Sequence, residues 1–268
     1  MEILPYIFAA AIGISLGLIG AGGSILTVPV LVYLAGVEPV LATAYSLFVV
    51  GWTALVGGVQ NARKKQVDFK TALLFGVPSI IAVYATRAWI MPAIPAEYHI
   101  AGLTIEKGTG LLLFFAALMI ATSISMIRGN GAPSEIDEIG DGDHTHHFGL
   151  VLLEGVGVGI LTGLVGAGGG FLIIPALVLL AGLKMKVAVG TSLFIIAMKS
   201  LLGFTGDIQV GTAIDWAFLL LFTACSIGGI FIGSWLAHYV HGSKLKKAFG
   251  WFVFAMGVYM IIRETVFA

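Results

Sequence analysis

A chain of 268 residues that is 59% hydrophobic and 10% charged, with a mean hydropathy of +1.04, has too few polar groups to cover a water-facing surface. That excludes an ordinary soluble globule and predicts an all-α polytopic membrane protein. The formal net charge is zero, so the placement of charges along the chain carries more information than their sum.

Apolar segments separated by short polar turns predict about ten helices, at 3–19, 24–37, 39–61, 69–91, 103–127, 148–165, 170–183, 185–205, 213–240 and 245–264. Glu2 precedes the first of them without a basic cluster, which argues against a cleaved signal peptide. Crossing a bilayer core takes about 20 helical residues, so the third, fourth and fifth helices of each set of five are long enough and the first two are short. Each short pair is joined by glycines, Gly20-Ala-Gly-Gly23 or Gly166-Ala-Gly-Gly-Gly170, which have little helical preference and little polarity. We read each pair as a hairpin of discontinuous helices with its turn at membrane depth, which requires that the turn be buried in protein or line a wet cavity.

The two hairpins are copies. Gly13 to Gly36 aligns with Gly159 to Gly182 with more than half of the positions identical, including Gly17-Leu-x-Gly-Ala-Gly-Gly and Gly163-Leu-x-Gly-Ala-Gly-Gly. A repeat of this length marks two related structural units. The expected organisation is a first membrane repeat at 1–127, a linker at 128–147 and a second repeat at 148–268. Arg63, Lys64, Lys65, Lys70, Arg128, Lys184, Lys186, Lys244, Lys246 and Lys247 fall on one side of the predicted spans. Glu2, Glu38, Glu97, Asp207 and Asp215 fall on the other, with Arg87, Lys107 and Arg263 as the cations near it. The basic side is therefore cytoplasmic and both termini are expected outside. Each half crosses an odd number of times, so the halves are expected as inverted-topology repeats.

The linker holds Asp141, Asp143, His144, His146 and His147, ligand types that suit zinc or nickel. In a hydrophilic loop this is read as a solvated charge run, and no metal or other cofactor is expected. Cys225, the single cysteine, lies in an apolar segment as a packing residue. His99, His238 and His241 fall at predicted interfaces. No nucleophile–base pairing or nucleotide fingerprint is present, so an enzyme is not expected, and neither is a nucleic-acid partner.

The chemistry is expected at the turns. Glycines let a ligand approach the backbone, and helix starts near Ser24 and Gly170 present unpaired N–H groups at the positive pole of a helix dipole. Gly20, Gly22, Gly23, Gly166, Gly168, Gly169 and Gly170 are therefore candidate anion contacts. Gly13, Gly17, Gly159 and Gly163 are read as small-residue packing positions instead. The third helix of each half carries a polar stripe, Ser46, Thr53 and Gln60 matching Ser192, Lys199 and Gly206. Lys199 and Thr53 correspond in the two copies and fall near mid-helix. A cation there costs about 2.5–3.5 kcal/mol unless an anion, a wet cavity or a neutralising environment offsets it. The alternative to an anionic ligand is an ion pair with Glu154 or Asp207, although Asp207, at an outer helix end, is expected to be solvated.

The doubled glycine signature, Ala188-x-Gly190-Thr191-Ser192-Leu193, and the starts Val67-Asp68-Phe69 and Ile214-Asp215-Trp216 resemble the TauE/SafE family, bacterial permeases described as exporters of sulfite and related organosulfur anions. The resemblance implies a transporter of the inner membrane. Two features depart from the family's pattern, Ala44-Tyr45-Ser46 opposite Gly190-Thr191-Ser192, and Lys199 itself. The expected function is export of sulfite or a sulfonate such as sulfoacetate by alternating access, with the anion held by the turn glycines, Ser24, Ser46, Thr53, Thr191, Ser192 and Lys199. A passive anion channel, a carboxylate or organosulfur uptake permease, and a sensor acting through the His-rich loop remain alternatives. The expected partners are the small anion and the lipid bilayer, with a homodimer left open.

Overall fold

The computed structural model describes residues 3–100, 103–128, 148–179, 181–237 and 242–266. Asp141, Asp143, His144, His146 and His147 of the linker, read as a solvated charge run, lie outside them, as do Glu2, His238 and His241. The described chain forms ten helices: α1 (Leu4–Ile19), α2 (Thr27–Tyr33), α3 (Pro39–Arg63), α4 (Phe69–Ala93), α5 (Lys107–Arg128), α6 (Phe148–Val165), α7 (Gly170–Leu179), α8 (Met185–Gln209), α9 (Trp216–Leu236) and α10 (Gly242–Val266). Among the described residues, six helices are long and apolar enough to cross a membrane, all of them third, fourth or fifth in their half. The protein is an all-α polytopic membrane protein.

Two expected elements differ. A helix was expected from residue 103, but Leu103–Glu106 is a strand, β2, paired antiparallel with β1, Glu97–Ile100, and α5 begins at Lys107. Tyr98, Ile100, Thr104 and Ile105 favour extended backbone, and the strand pair takes them before the helix starts. In the first half, Gly20–Leu26 forms a tight 3₁₀ segment, so α2 starts at Thr27 rather than near residue 24. The second turn is different again, with positive φ at Gly166, Gly168 and Gly169.

The doubled Asp-aromatic motifs have a structural cause. Asp68 accepts hydrogen bonds from the Lys70 and Thr71 N–H groups, and Asp215 from that of Phe218, so each aspartate caps the fourth helix of its half. Glu38 caps α3 in the same way through Val40 and Leu41.

Packing is reciprocal between the halves. The first helix of each half lies along the fourth helix of the other: α1 runs with α9 and α6 with α4. The third helices, α3 and α8, pack together and run antiparallel, since Gly51 lies against Leu201 and Gly58 against Phe194. The fifth helices do likewise, with Gly250 against Ile127 and Gly257 against Ile120. The α1–α9 and α4–α6 seams are closed by small residues. A β-carbon on Gly13 would lie 1.9 Å from the Ser226 carbonyl oxygen, one on Gly17 2.6 Å from that of Ile230, one on Gly159 2.6 Å from that of Ser79, and one on Gly163 2.7 Å from Thr86 Cβ. These glycines serve backbone-to-backbone approach, as read from their spacing.

Gly228 and Gly229 give a matched test of this seam. A β-carbon on Gly229 would meet the Ala10 carbonyl oxygen at 2.1 Å, whereas one on Gly228 has nothing within 4 Å. Gly229→Ala is expected to destabilise the detergent-purified protein by about 1–3 kcal/mol through overpacking, lowering its thermal midpoint. Gly228→Ala is expected to be neutral or to stabilise by up to about 1 kcal/mol through helix propensity.

Candidate functional site

The two glycine turns meet inside the bundle. Ser24, fully buried, donates its hydroxyl to the Ala167 carbonyl at 2.5 Å, and a β-carbon on Gly168 would stand 3.3 Å from Ser24 Cβ. That same β-carbon would also meet Val50 and Ile196, which lie near the mid-points of α3 and α8. The outer ends of the turns are crossed between halves. Gly20 approaches Val189 of α8, and Gly166 approaches the backbone of Thr43 on α3, the corresponding position of the other copy. At Gly166 and Gly169, with φ of 75° and 70°, a side chain would be strained as well as blocked.

Lys199 extends from α8 to the second turn. Its ammonium donates to Thr162 Oγ1 at 2.9 Å and lies 3.0 Å from where a Gly169 β-carbon would stand. Lys199 and Thr162 are both buried. Among the described residues Lys199 has no carboxylate partner, so the alternative of an ion pair with Glu154 or Asp207 is not realised. The ammonium thus sits one residue from the start of α7, where the helix dipole is also positive. Thr53, its counterpart in the first copy, turns elsewhere: its hydroxyl donates to the Val49 carbonyl and stands 3.0 Å from Ser226 Oγ.

Other expected site residues are placed as follows. Gly23 packs on the α1 backbone at Ser15 and Leu16, and Gly22 lies in the 3₁₀ segment. Gly170 is the first residue of α7. Ser46 is fully buried, and its hydroxyl has no hydrogen-bond partner among the described residues. Ser192 donates to the Val189 carbonyl. The Thr191 hydroxyl accepts the Asp68 N–H at 2.9 Å, at the start of α4, and is not gathered with Lys199. The residues brought together are thus Ser24, Gly168, Gly169 and Lys199, joined by Thr162, which the sequence reading did not single out.

A second buried charged group was also missed. Asp207 is 6% exposed rather than solvated, and it pairs with Arg87, itself 1% exposed, at 3.3 Å. Arg87 Nη1 donates in addition to Thr43 Oγ1 at 3.0 Å. Arg87 lies in a π-helical turn, Thr86–Ile90, within α4, a local widening that recurs at functional positions. Its burial follows from packing: Gly206 of α8 admits the Arg87 Cβ and the α6 residue Gly163 admits Thr86. Position along the chain placed Arg87 near an interface, and only the missing side chains at Gly206 and Gly163 pointed to its burial. A cleft of about 570 Å³ lies apart from these groups, lined by Tyr6, Tyr45 and Phe218 with Glu38 and Asp215, and its acidic lining does not suit an anion.

Comparison with known proteins decides the family. The family model described as "Sulfite exporter TauE/SafE" matches residues 6–260. The chain belongs to the TauE/SafE family. A protein of Xylella fastidiosa, named "Probable membrane transporter protein", is 30% identical over 261 residues, covering 94% of this chain and 92% of its own length. "Probable membrane transporter protein YunE" of Bacillus subtilis is 28% identical over 244 residues, covering 81% of this chain and 83% of its own length. No solved structure matches this TauE/SafE chain. Membership makes it a membrane transporter of a small anion, integral to a lipid bilayer.

The buried Arg87–Asp207 pair yields a direct prediction. Asp207→Ala leaves a guanidinium buried without its counter-ion and is expected to cost about 3–5 kcal/mol in reversible unfolding from mixed micelles. Arg87→Met combined with Asp207→Leu is expected to recover most of that loss.

Proposed function

We propose that this transporter exports sulfite or a sulfonate such as sulfoacetate across a bacterial inner membrane, by alternating access around a site between the two glycine turns. The observation that carries the reading is Lys199: a buried ammonium without a carboxylate partner among the described residues, beside the positive end of α7. Both features disfavour the empty site and favour an anion in it. Ser24 and Thr162 supply hydroxyls beside the same turn, and the glycines keep its backbone open to close approach.

The family description, "Sulfite exporter TauE/SafE", supports this class of anion and this direction. The two halves, 1–127 and 148–268, are read as inverted copies joined by a cytoplasmic linker at 128–147, with both termini outside. The antiparallel runs of α3 against α8 and α5 against α10 support that reading, because each pair consists of corresponding helices. In such an arrangement one half rocks against the other and the site between the turns opens to each side in turn.

Flux of radiolabelled sulfite and sulfoacetate from proteoliposomes tests the reading. Wild-type flux is expected to saturate with substrate. Lys199→Ala, which removes a charge-assisted contact of about 1.5–3 kcal/mol, is expected to lower flux at subsaturating substrate by about ten- to hundredfold. Flux unchanged in Lys199→Ala would refute the site, and flux that does not saturate would refute the transporter cycle in favour of a channel.

A further inference from the structure

We propose that Arg87 is a second oxyanion-binding group of this transporter, reached by the same anion that occupies the Lys199 site, so the inference rests on that reading of the central site. The first ground is the incompleteness of the Arg87–Asp207 pair. Buried arginine–carboxylate pairs are frequently bidentate, with two parallel hydrogen bonds. Here a single nitrogen, Nη1, makes the 3.3 Å contact with Asp207 Oδ1 and also serves Thr43. Nε and Nη2, which form the other donor fork of the guanidinium, are buried with no partner among the described residues, and so is Asp207 Oδ2. Two parallel N–H donors at fork spacing match two oxygens of a sulfite, sulfonate or carboxylate group.

Position is the second ground. Arg87 and Lys199 approach opposite ends of the same glycine turn: Lys199 stands at Gly169, and Arg87 bonds Thr43, whose backbone packs on Gly166. Lys199 and Asp207 are eight residues apart on α8, so the two cationic stations are separated by about 12 Å along that helix at 1.5 Å per residue. The third ground is charge. The buried charged side chains among the described residues are Arg87, Lys199 and Asp207, an excess of one cation. An anion at either station offsets it. The equivalent positions in the other copy, Ser234, Asn61 and Val189 for Arg87, Asp207 and Thr43, carry no charge, so this station exists on one side of the centre only.

The test uses the full-length protein purified in detergent and titrated calorimetrically with sodium sulfite. In Lys199→Ala, weaker but saturable sulfite binding is expected to persist. On that background Arg87→Lys, which keeps the charge and loses the fork, is expected to weaken the residual binding at least about tenfold. Arg87→Gln with Asp207→Asn, which removes both charges together and leaves no unpaired ion, is expected to abolish it; size-exclusion profiles and thermal midpoints close to those of the Lys199→Ala parent establish that these variants are folded. Loss of all saturable binding in Lys199→Ala alone, or residual binding indifferent to both Arg87 changes, would overturn the second station and leave the central site standing. Equal affinity in the wild type and Lys199→Ala, with binding lost in Arg87→Gln/Asp207→Asn, would support Arg87 and refute the central site. No sulfite binding by the wild type would overturn both.

Discussion

Non-helical backbone shut away from water must find its hydrogen-bond partners and its contacts within the protein, and the rest of this structure follows from meeting that constraint twice. Each glycine turn is buried because helices of the opposite half come up to it without β-carbons in the way. Gly20 sits on Val189 and Gly166 on Thr43, and the turns touch each other through Ser24 and Ala167. The glycines along α1, α6 and α9 bring the flanking helices close enough to seal the same region. A side chain at any of these positions would push apart the elements that shield the turns.

On this nearly symmetrical frame the charges are placed unsymmetrically. Lys199 corresponds to Thr53, and its partner Thr162 corresponds to Leu16, so both members of the contact belong to the second copy alone. Asp207 corresponds to Asn61, whose side-chain amide bonds the Gly57 carbonyl in its own helix. Duplication of one unit accounts for the shared helix order and reciprocal packing, while the turns themselves differ in backbone. Divergence after it assigned the second turn the cations, and an anion passing through the centre would meet a neutral turn on one face and a positively charged one on the other.

The fold was largely legible because hydropathy, glycine and capping residues act locally: the ten helices fall near their expected spans, and the seam glycines read correctly from spacing alone. The strand pair Glu97–Ile100 and Leu103–Glu106 was missed because Leu103-Thr-Ile runs into the apolar helix that follows and fits a helix start as well as a strand. The site was legible where a residue was anomalous in its own helix, as Lys199 is. It was illegible where the anomaly lies in the neighbours. Asp207 and Arg87 look like interfacial charges along the chain, and their burial depends on Gly206 and on the π-helical turn of α4, features of tertiary packing. Thr162 was overlooked for the same reason, because a threonine late in an apolar helix is ordinary until a lysine from another helix reaches it. Thr191 shows the converse: a hydroxyl in a family-like motif is engaged by the Asp68 N–H at the start of α4.

The central claim is that the two turns meet and must part for transport. A disulfide between Ser24→Cys and Gly168→Cys tests it directly in a background of Cys225→Ser and Val50→Ala, the latter removing the methyl that a Gly168 β-carbon would meet at 2.7 Å, since the 3.3 Å separation between Ser24 Cβ and that β-carbon is close to disulfide geometry. The account predicts that mild oxidation cross-links the pair, that sulfite flux in proteoliposomes falls with the cross-linked fraction, and that reduction restores it. Failure to cross-link, or full flux through the cross-linked protein, would contradict it.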